Sequence, residues 1–300
     1  MSEVNPTVHI SVMMPEVLKY IQAKPGQVIV DGTLGGAGHA RRLAQCVAPE
    51  GCLIGLDRDS LPIQRAETTL KGLPVILAQS NFCDLPEVLS QIDGINKVDA
   101  ILLDLGLSSD QLADRNRGFS FNSDGPLDLR FDAEHGEPAW KLINRLSEQT
   151  LADVIYQYGE ERCSRRIARK IVERRRANPV KTAAELADLV RSCVPAERNR
   201  KSSLDPATRT FQALRIAVNE ELKSLEIALK RFPEVLKPGG ILAIISFHSL
   251  EDRRVKEAFR TDPRYELVTP KALTASPEEL EVNPRSRSAK FRVARRSENS

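Results

Sequence analysis

The run Val28-Ile-Val-Asp-Gly-Thr-Leu-Gly-Gly-Ala-Gly-His39 joins a short apolar strand to an acid and a glycine-rich turn. Its glycines let the backbone turn tightly, and they let a ligand approach where a Cβ would otherwise stand in the way. A turn of this kind, between a first strand and a first helix, lies where open α/β sheets bind nucleotides. The run therefore favours a ligand pocket, and a purely structural turn is the alternative.

Strands and helices alternate beyond this run. The predicted strands lie at 28–30, 52–56, 74–77 and 98–103, and a helix follows each of the first three. Continuous apolar strands separated by helices are typical of a parallel sheet with helices on both faces. The predicted fold class is therefore α/β, with a Rossmann-like, mostly parallel sheet.

The alternation stops near residue 109, and no strand is predicted from there to about residue 204. The predicted elements of this segment are helices at about 138–146, 148–158, 160–177 and 183–194. We therefore expect a small all-α domain, 110–204, inserted into a sheet domain made of 1–109 and 205–300.

The sheet pattern resumes after residue 204. One long helix is predicted there, capped by Asp205 and opened by Pro206, with an apolar stripe that continues to Leu229. The elements predicted after it are a turn at 237–240, a strand at 241–246, a helix capped by Ser249, and an edge pair of strands at 265–268 and 291–293.

The formal net charge of +3 conceals a local imbalance. Residues 162–176 hold eight Lys or Arg and one Glu, and residues 284–296 hold six Lys or Arg and no acid. Two basic blocks on an otherwise acidic protein favour a localised anionic partner such as RNA, and two solvated faces are the alternative.

The charged fraction of 28% and the hydrophobic fraction of 41% argue against a disordered, collagenous or coiled-coil chain.

The cysteines and histidines give no sign of a metal site. Five Cys and four His are scattered, without a C-x-x-C pair or an H-E-x-x-H motif, which argues against a zinc site or a disulfide framework and fits a reducing compartment. The first residues lack the pattern of a signal peptide, and the longest apolar run, 241–247, is far shorter than the ~20 residues of a membrane span. We therefore expect a cytoplasmic protein with no metal and no membrane partner.

Three acids stand at the ends of predicted strands, namely Asp31, Asp57 and Asp104. The carboxyl ends of parallel strands meet at one edge of the sheet, which is the usual ligand crevice. Asp57 follows Gly38 by 19 residues, a spacing suited to holding ribose hydroxyls, and Asp31 suits a ligand with a cationic amine. The turn matches neither G-x-x-x-x-G-K-[ST] nor G-x-G-x-x-G. The set favours a cofactor site, with helix or turn capping as the alternative.

Further motifs run along nearly the whole chain. They are Asp31-Gly-Thr, Gly38-His39, Asp57-Arg-Asp59, Leu102-Leu-Asp-Leu-Gly106, Ser108-Ser109, Arg117-Gly-Phe-Ser-Phe121, Asp124-Gly-Pro-Leu-Asp128, Tyr158-Gly-Glu-Glu161, Pro206-Ala-Thr-Arg-Thr-Phe-Gln212, Ser246-Phe-His-Ser-Leu-Glu-Asp-Arg253 and Asn283-Pro-Arg285. With the glycine turn, and in this order, they resemble the RsmH (MraW) family of class I S-adenosylmethionine-dependent methyltransferases. One departure is Ala37, where many members have glycine.

The resemblance implies a methyltransferase that modifies N4, the exocyclic amine of one cytosine, in 16S ribosomal RNA near the decoding site. It implies S-adenosylmethionine as the cofactor and 16S rRNA or the small ribosomal subunit as the partner, and a homodimer is left open. The implied cofactor contacts are Ala37, Gly38, His39, Asp57, Phe82, Asp104 and Gln111, with Asp31 close by. From the sequence alone, Phe82 is better interpreted as a core aromatic.

The implied reaction needs help at the cytosine amine, whose lone pair is delocalised into the ring. Acceptors on the amine hydrogens would supply that help, and Asp104 and Ser108 are the candidate catalytic residues, without an assigned general base.

Two other functions stay open. The absence of G-x-G-x-x-G counts against a nicotinamide-dependent oxidoreductase, and the three acids count against a non-catalytic nucleic-acid-binding protein on a methyltransferase fold.

The first basic block predicts a helix with one apolar and one cationic face, since residues advance about 100° each around a helix. Such a stripe suits RNA phosphates, and a solvated amphipathic helix is the alternative. The predicted RNA contacts are Arg162, Arg165, Arg166, Arg169, Lys170 and Arg176, with Arg285, Arg287, Lys290 and Arg292 as a second contact or a soluble tail.

Two further features each allow two interpretations. In the first interpretation, Phe119 and Phe121 stack on the target base after it has been flipped out of the RNA. In the second, they pack as a lid on the core. His248 and Ser249 form a catalytic pair, or they serve as a turn residue and a helix cap, and the second interpretation is favoured.

Overall fold

The computed structural model describes residues 10–121, 124–195 and 205–298. The chain divides into two compact units, Met1–Ser108 with Leu222–Ser300, and Ser109–Glu221. The first contains the sheet and the second is helical. The second boundary falls later than residue 204, because the helix Thr208–Asn219 packs within the helical unit.

The sheet has seven strands in the order β3-β2-β1-β4-β5-β7-β6. The first five along the chain are parallel, and β7 is antiparallel to both of its neighbours. The α/β class and the mostly parallel sheet are confirmed. The strands are β1 Val28–Asp31, β2 Cys52–Asp57, β3 Val75–Gln79, β4 Val98–Asp104, β5 Leu236–Ser246, β6 Tyr265–Leu267 and β7 Lys290–Arg296.

Helices cover the sheet on both faces. Neighbouring strand residues alternate between two apolar layers, so that Ile29 and Leu102 belong to one layer while Val30 and Leu103 belong to the other. This double burial is why the strands read as continuous apolar runs. The helices of this unit are α1 Met14–Ile21, α2 Gly38–Val47, α3 Ser60–Thr69, α4 Leu85–Ser90, α11 Glu221–Val235, α12 Ser249–Thr261 and α13 Pro277–Val282.

The helical unit has an apolar core of its own. Its helix α9 begins with the predicted capping box, in which Thr182 accepts from the Glu185 amide while the Glu185 carboxylate accepts from the Thr182 amide. Arg175 donates to the carbonyls of Ile143 and Leu146, near the end of another helix. The helices are α5 Ser109–Ala113, α6 Ala139–Arg145, α7 Glu148–Gly159, α8 Ser164–Ala177, α9 Ala183–Cys193 and α10 Thr208–Asn219.

The single long helix predicted after Asp205 is wrong, since α10 and α11 are separate helices. Glu220 between them has a left-handed φ of 50°, which a side chain tolerates at a cost of roughly 1 kcal/mol. Asn219 offsets that cost, because its side-chain amide accepts from the Phe131 amide at 2.7 Å and donates to the Leu129 carbonyl at 2.7 Å. The apolar rhythm crosses this break without a glycine or proline to mark it.

Two predictions near the end of the sheet also need correction. The segment 237–240 is not a turn before the strand, since β5 already begins at Leu236 and is irregular there, with Gly239 at φ 76°. The predicted edge pair does form, but β7 lies inside the sheet and only β6 is at its edge. A strand that carries charged residues can still be interior when those charges find partners.

Among the residues that the structure describes, no helix is both long enough and apolar enough to cross a membrane.

Candidate active site

The glycine turn connects β1 to α2 at the carboxyl edge of the sheet. Gly35 and Ala37 both have left-handed φ values, of 47° and 59°, and the Ala37 amide donates to the Leu34 carbonyl at 2.7 Å. A left-handed conformation favours glycine, so the alanine at position 37 is the strained member of the turn. The turn is held in place from β2, because the Gly35 amide donates to Asp57 Oδ2 at 2.9 Å.

Two of the glycines lie where neighbouring side chains leave little room for a Cβ. A Cβ on Gly32 would lie 2.5 Å from Leu103 Cδ2, and a Cβ on Gly38 would lie 2.0 Å from the Ser11 hydroxyl. The space at Gly38 is therefore already taken by the segment that precedes α1. This contact has no signal in the sequence, because residues 11 and 38 are far apart in the chain.

Asp31 ends β1 and is fully buried, with 1% of its surface exposed. Its Oδ1 accepts from the Thr33 amide at 3.2 Å. Burial raises the pKa of Asp31 to about 7, and the nearby charge of Asp57 adds to the rise while the Thr33 and Ala40 amides oppose it. A cation beside this carboxyl group would stabilise its ionised form.

Asp57 ends β2, and backbone amides hold both of its carboxylate oxygens. Oδ2 accepts from Gly35 and Oδ1 accepts from Asp59, each at 2.9 Å. Burial raises the pKa of Asp57 to about 6, against the lowering effect of these amides. Each carboxylate oxygen keeps a second lone pair, so the group can still accept from a ligand hydroxyl.

Asp104 ends β4 and faces His39 at the start of α2. His39 Nδ1 lies 3.6 Å from Asp104 Oδ2, and His39 Nε2 donates to the Val12 carbonyl at 2.9 Å. The other oxygen, Asp104 Oδ1, is buried and has no hydrogen-bond partner within residues 10–121, 124–195 and 205–298. Burial raises the pKa of Asp104 well above its ordinary value, and the charges of Asp31, Glu251 and Glu279 add to it. This site therefore holds an unused acceptor.

The other predicted contacts are placed differently. Phe82 is half-buried in a 3-10 turn, packs on an apolar layer of the sheet and lies beside Gly32. Ser108 lies close to Gly35, with its Cβ 3.7 Å from where a Cβ on that glycine would stand. Gln111 belongs to helix α5 of the helical unit and is buried.

His248, and not Ser249, is the N-cap of α12. Its Nδ1 accepts from the Glu251 amide at 3.3 Å, and Glu251 Oε2 accepts from the amides of Phe247 at 2.9 Å and His248 at 3.3 Å. The prediction of a Ser249 cap is wrong. The histidine takes this role because a ring nitrogen can accept a backbone hydrogen bond as a hydroxyl does.

The segment before α1 and the helix α13 add a part of the site that the sequence analysis missed. The Met13 amide donates to Glu279 Oε1 at 2.7 Å, and the Asn283 side chain donates to the Ile10 carbonyl at 3.2 Å. Burial raises the pKa of Glu279. Only the Asn283-Pro-Arg285 motif gave a signal near this contact.

The predicted basic helix is α8, which begins at Ser164 and not at residue 160, so Arg162 and Cys163 lie before it. Its apolar members Ile167, Ala168 and Ile171 are fully buried. Arg169 lies 3.5 Å from Glu148, a pair that is exposed on both sides. The exposed cationic residues are Arg162, Arg165, Arg166, Arg169, Lys170 and Arg176.

The second basic block is not a soluble tail, since much of it forms β7. Arg292 is 8% exposed and donates to Asp252 Oδ1 at 2.7 Å, and Lys290 lies 3.1 Å from Asp252 Oδ2. These two charges are used inside the sheet unit, so the interpretation of Lys290 and Arg292 as a nucleic-acid contact is not retained. Arg285 and Arg287 are exposed.

The two phenylalanines of the helical unit differ. Phe119 is 5% exposed and stacks on Phe131 at 6.0 Å, which is the packing of a core residue. Phe121 is half-buried, meets Phe211 edge-on at 5.7 Å and has the Arg191 guanidinium 5.9 Å from its ring centre. The structure gives Phe119 no free face for a base.

Comparison with known proteins settles the family. The family model for the MraW methylase family matches residues 6–297. The chain belongs to the MraW methylase family. A relative named ribosomal RNA small subunit methyltransferase H, from Rhodopirellula baltica, is 50% identical over 97% of this chain and 92% of its own length. A protein of the same name from Syntrophotalea carbinolica is 48% identical over 96% of this chain and 98% of its own.

One solved structure shows how distant a structural neighbour of this MraW-family chain can be in sequence. An rRNA methylase from Streptococcus thermophilus aligns over 95% of this chain and 95% of its own, with 9% identity and a TM-score of 0.45. The fold of the MraW-family chain therefore rests on its own strand order and register.

Proposed function

We propose that this chain transfers a methyl group from S-adenosylmethionine to N4 of a cytosine in 16S ribosomal RNA of the small subunit, near the decoding site. The observation that carries the proposal is the set of three strand-end carboxyls with raised pKa values, Asp31, Asp57 and Asp104, around the glycine turn of an MraW-family chain. The names of the relatives support the small-subunit RNA as the substrate.

The residues of the site fit the proposed cofactor. S-adenosylmethionine carries a sulfonium and an ammonium group, and the raised pKa values of Asp31 and Asp104 show carboxyls that a cation would stabilise in their ionised form. Asp57 is fixed by two backbone amides in an orientation from which it accepts ribose hydroxyls. Asp104 Oδ1 is a buried acceptor that needs a donor.

The proposed mechanism depends mainly on positioning. When bound, S-adenosylmethionine supplies a methyl group on sulfur, which departs as a neutral thioether. Methylation of N4 would release one proton, which the ionised Asp104 carboxylate would accept. Asp104 accepts a hydrogen bond from N4–H, holds the amine in line and favours localisation of its lone pair. Ser108, beside Gly35, is proposed as a second acceptor for the amine.

The helical unit supplies the proposed RNA-binding surface. The exposed stripe of α8 is anchored by its buried apolar face, so its cations form a fixed array suited to phosphates. Arg285 and Arg287 of the sheet unit are proposed as a second contact. The stripe contributes affinity without sequence readout, because phosphate contacts carry no base information.

The test separates cofactor binding from RNA binding. We expect Asp57→Ala to weaken cofactor affinity roughly 10- to 100-fold, since it removes hydrogen bonds to a charged acceptor. We expect Arg165→Glu with Arg169→Glu to weaken RNA affinity and flatten its salt dependence while cofactor affinity is unchanged. Calorimetry with the cofactor and filter binding with a small-subunit RNA fragment measure the two affinities. Arg260→Glu, on an exposed position of α12, is the matched control.

The product is identified by mass mapping of methylated ribosomal RNA. Transfer of labelled methyl to N4 of one cytosine is the expected result. Methylation at another atom contradicts the finer assignment, and cofactor binding without any transfer to RNA or subunits favours the non-catalytic alternative. If NADH raises the melting temperature of the protein and S-adenosylmethionine does not, the result favours a nicotinamide-dependent oxidoreductase.

A further inference from the structure

The turn after β5 packs directly against the turn after β4. Asp104 is paired in register with Ile245, so the two strands end side by side. The Phe247 ring fills the space beside Gly106, where a Cβ would lie 3.0 Å from Cδ2 of that ring. Gly106 has a φ of 130°, a conformation that only glycine adopts readily. The contact fixes His248, the next residue, in the same part of the sheet edge as Asp104.

The hydrogen bonds of His248 define the state of its ring. Nδ1 accepts from the Glu251 amide, so it carries no hydrogen, and a neutral ring must then carry its hydrogen on Nε2. Nε2 is buried and has no hydrogen-bond partner among the described residues. Glu251 Oε1 is 3.2 Å from Nε2, but it lacks the alignment that a hydrogen bond requires. The helix cap uses one nitrogen and leaves the other as an unused donor.

Two buried polar atoms at this edge are thus unsatisfied, and they are of opposite kinds. Within the part of the chain that the structure describes, Asp104 Oδ1 has no donor and His248 Nε2–H has no aligned acceptor. Buried polar groups are nearly always paired, and unpaired ones call for an explanation such as a ligand. The charge of Glu251, which is packed on His248, reaches Asp104 strongly enough to raise the pKa of that carboxyl.

We propose that His248 is a specificity residue that donates from Nε2 to the ring nitrogen N3 of the target cytosine while Asp104 Oδ1 accepts from its N4 amine. The inference rests on the proposed function. Cytosine offers a donor at N4 beside an acceptor at N3, and the two unsatisfied atoms match that pair. Uracil offers an acceptor at O4 beside a donor at N3, so it places acceptor against acceptor and donor against donor. The pair therefore selects cytosine through its Watson–Crick edge.

The variant His248→Asn tests the donor without removing the helix cap. Asparagine is among the best N-cap residues, so its side-chain oxygen can accept from the Glu251 amide while the Nε2–H is lost. We expect unchanged affinity for S-adenosylmethionine and a loss of about tenfold or more in kcat/KM on the RNA substrate. His135→Asn, at an exposed histidine, is the matched control and should change neither quantity.

An altered base supplies the decisive comparison. In RNA with 3-deazacytidine at the target position the N3 acceptor is replaced by C–H, so the wild type and His248→Asn should have equal kcat/KM values on it. Direct binding gives a second measurement, with S-adenosylhomocysteine present and cytidine or uridine at the target position. The wild type should prefer cytidine, and His248→Asn should lose most of that preference.

The outcomes separate the two proposals. If the wild type methylates no cytosine N4, the proposed function is wrong. If the wild type does so and His248→Asn loses the same factor on cytidine as on 3-deazacytidine, the histidine acts through structure alone and the inference is overturned. Full activity of His248→Asn, with its preference for cytidine intact, overturns it as well.

Discussion

Replacement of Asp31 by asparagine should change how stability depends on pH. Burial raises the pKa of Asp31 from 3.8 to about 7, so the folded protein holds this proton more tightly than the unfolded chain does. The stabilisation of the folded state that comes from this bound proton is fully present below pH 3.8, and it is lost as the pH rises through 7. Each pH unit well below 7 removes about 1.4 kcal/mol of unfolding free energy, and the loss amounts to about 2 kcal/mol between pH 5 and pH 7, where the group is half ionised.

Asparagine cannot ionise, and its side-chain oxygen can still accept from the Thr33 amide. The stability of Asp31→Asn relative to the wild type should therefore rise by about 3 kcal/mol from pH 5 to pH 8. Urea denaturation of the cofactor-free protein at both pH values measures this difference. Asp153→Asn, at an exposed position of α7, should show a constant difference. A constant difference for Asp31→Asn too would refute the assignment of a buried, protonated carboxyl.

Two further predictions concern packing and charge in the sheet unit. Arg292→Met leaves Asp252 with Lys290 as its remaining cationic partner, so the unfolding free energy should fall by about 2 kcal/mol, whereas the exposed Arg295→Met should have little effect. Equal denaturation midpoints for these two variants would contradict the paired role. Gly32→Ala places a Cβ 2.5 Å from Leu103 and should cost about 1–3 kcal/mol, and an unchanged melting temperature would show that the turn relaxes freely.

The sequence pattern predicted the parallel part of the sheet well, because its strands are apolar on both faces and three of the five end in an aspartate. Asp31, Asp57 and Asp104 were placed at one edge by that pattern, and the register brings them there. The capping box at Thr182 was predicted for a similar reason, since both of its hydrogen bonds are local in sequence.

Other features depend on contacts that no local pattern reveals. Glu220 breaks a helix without a glycine or proline, because Asn219 bonds to a distant loop. Arg292 resembles a surface cation until β7 brings it to Asp252. His248 replaces the expected serine as a cap, because a ring nitrogen can accept as well as a hydroxyl.

The order of strands along the chain has a consequence for synthesis. β5 pairs with β4 in the sheet, yet residues 105–235 separate them in sequence. At about 5–20 residues per second, a ribosome needs roughly 7–26 seconds to make that segment. Throughout this interval β4 keeps an open, apolar edge of the kind that pairs with other chains. Because the helical unit has its own core, it can fold while the nascent sheet waits, and the growing chain is then most vulnerable to aggregation before residue 236 emerges.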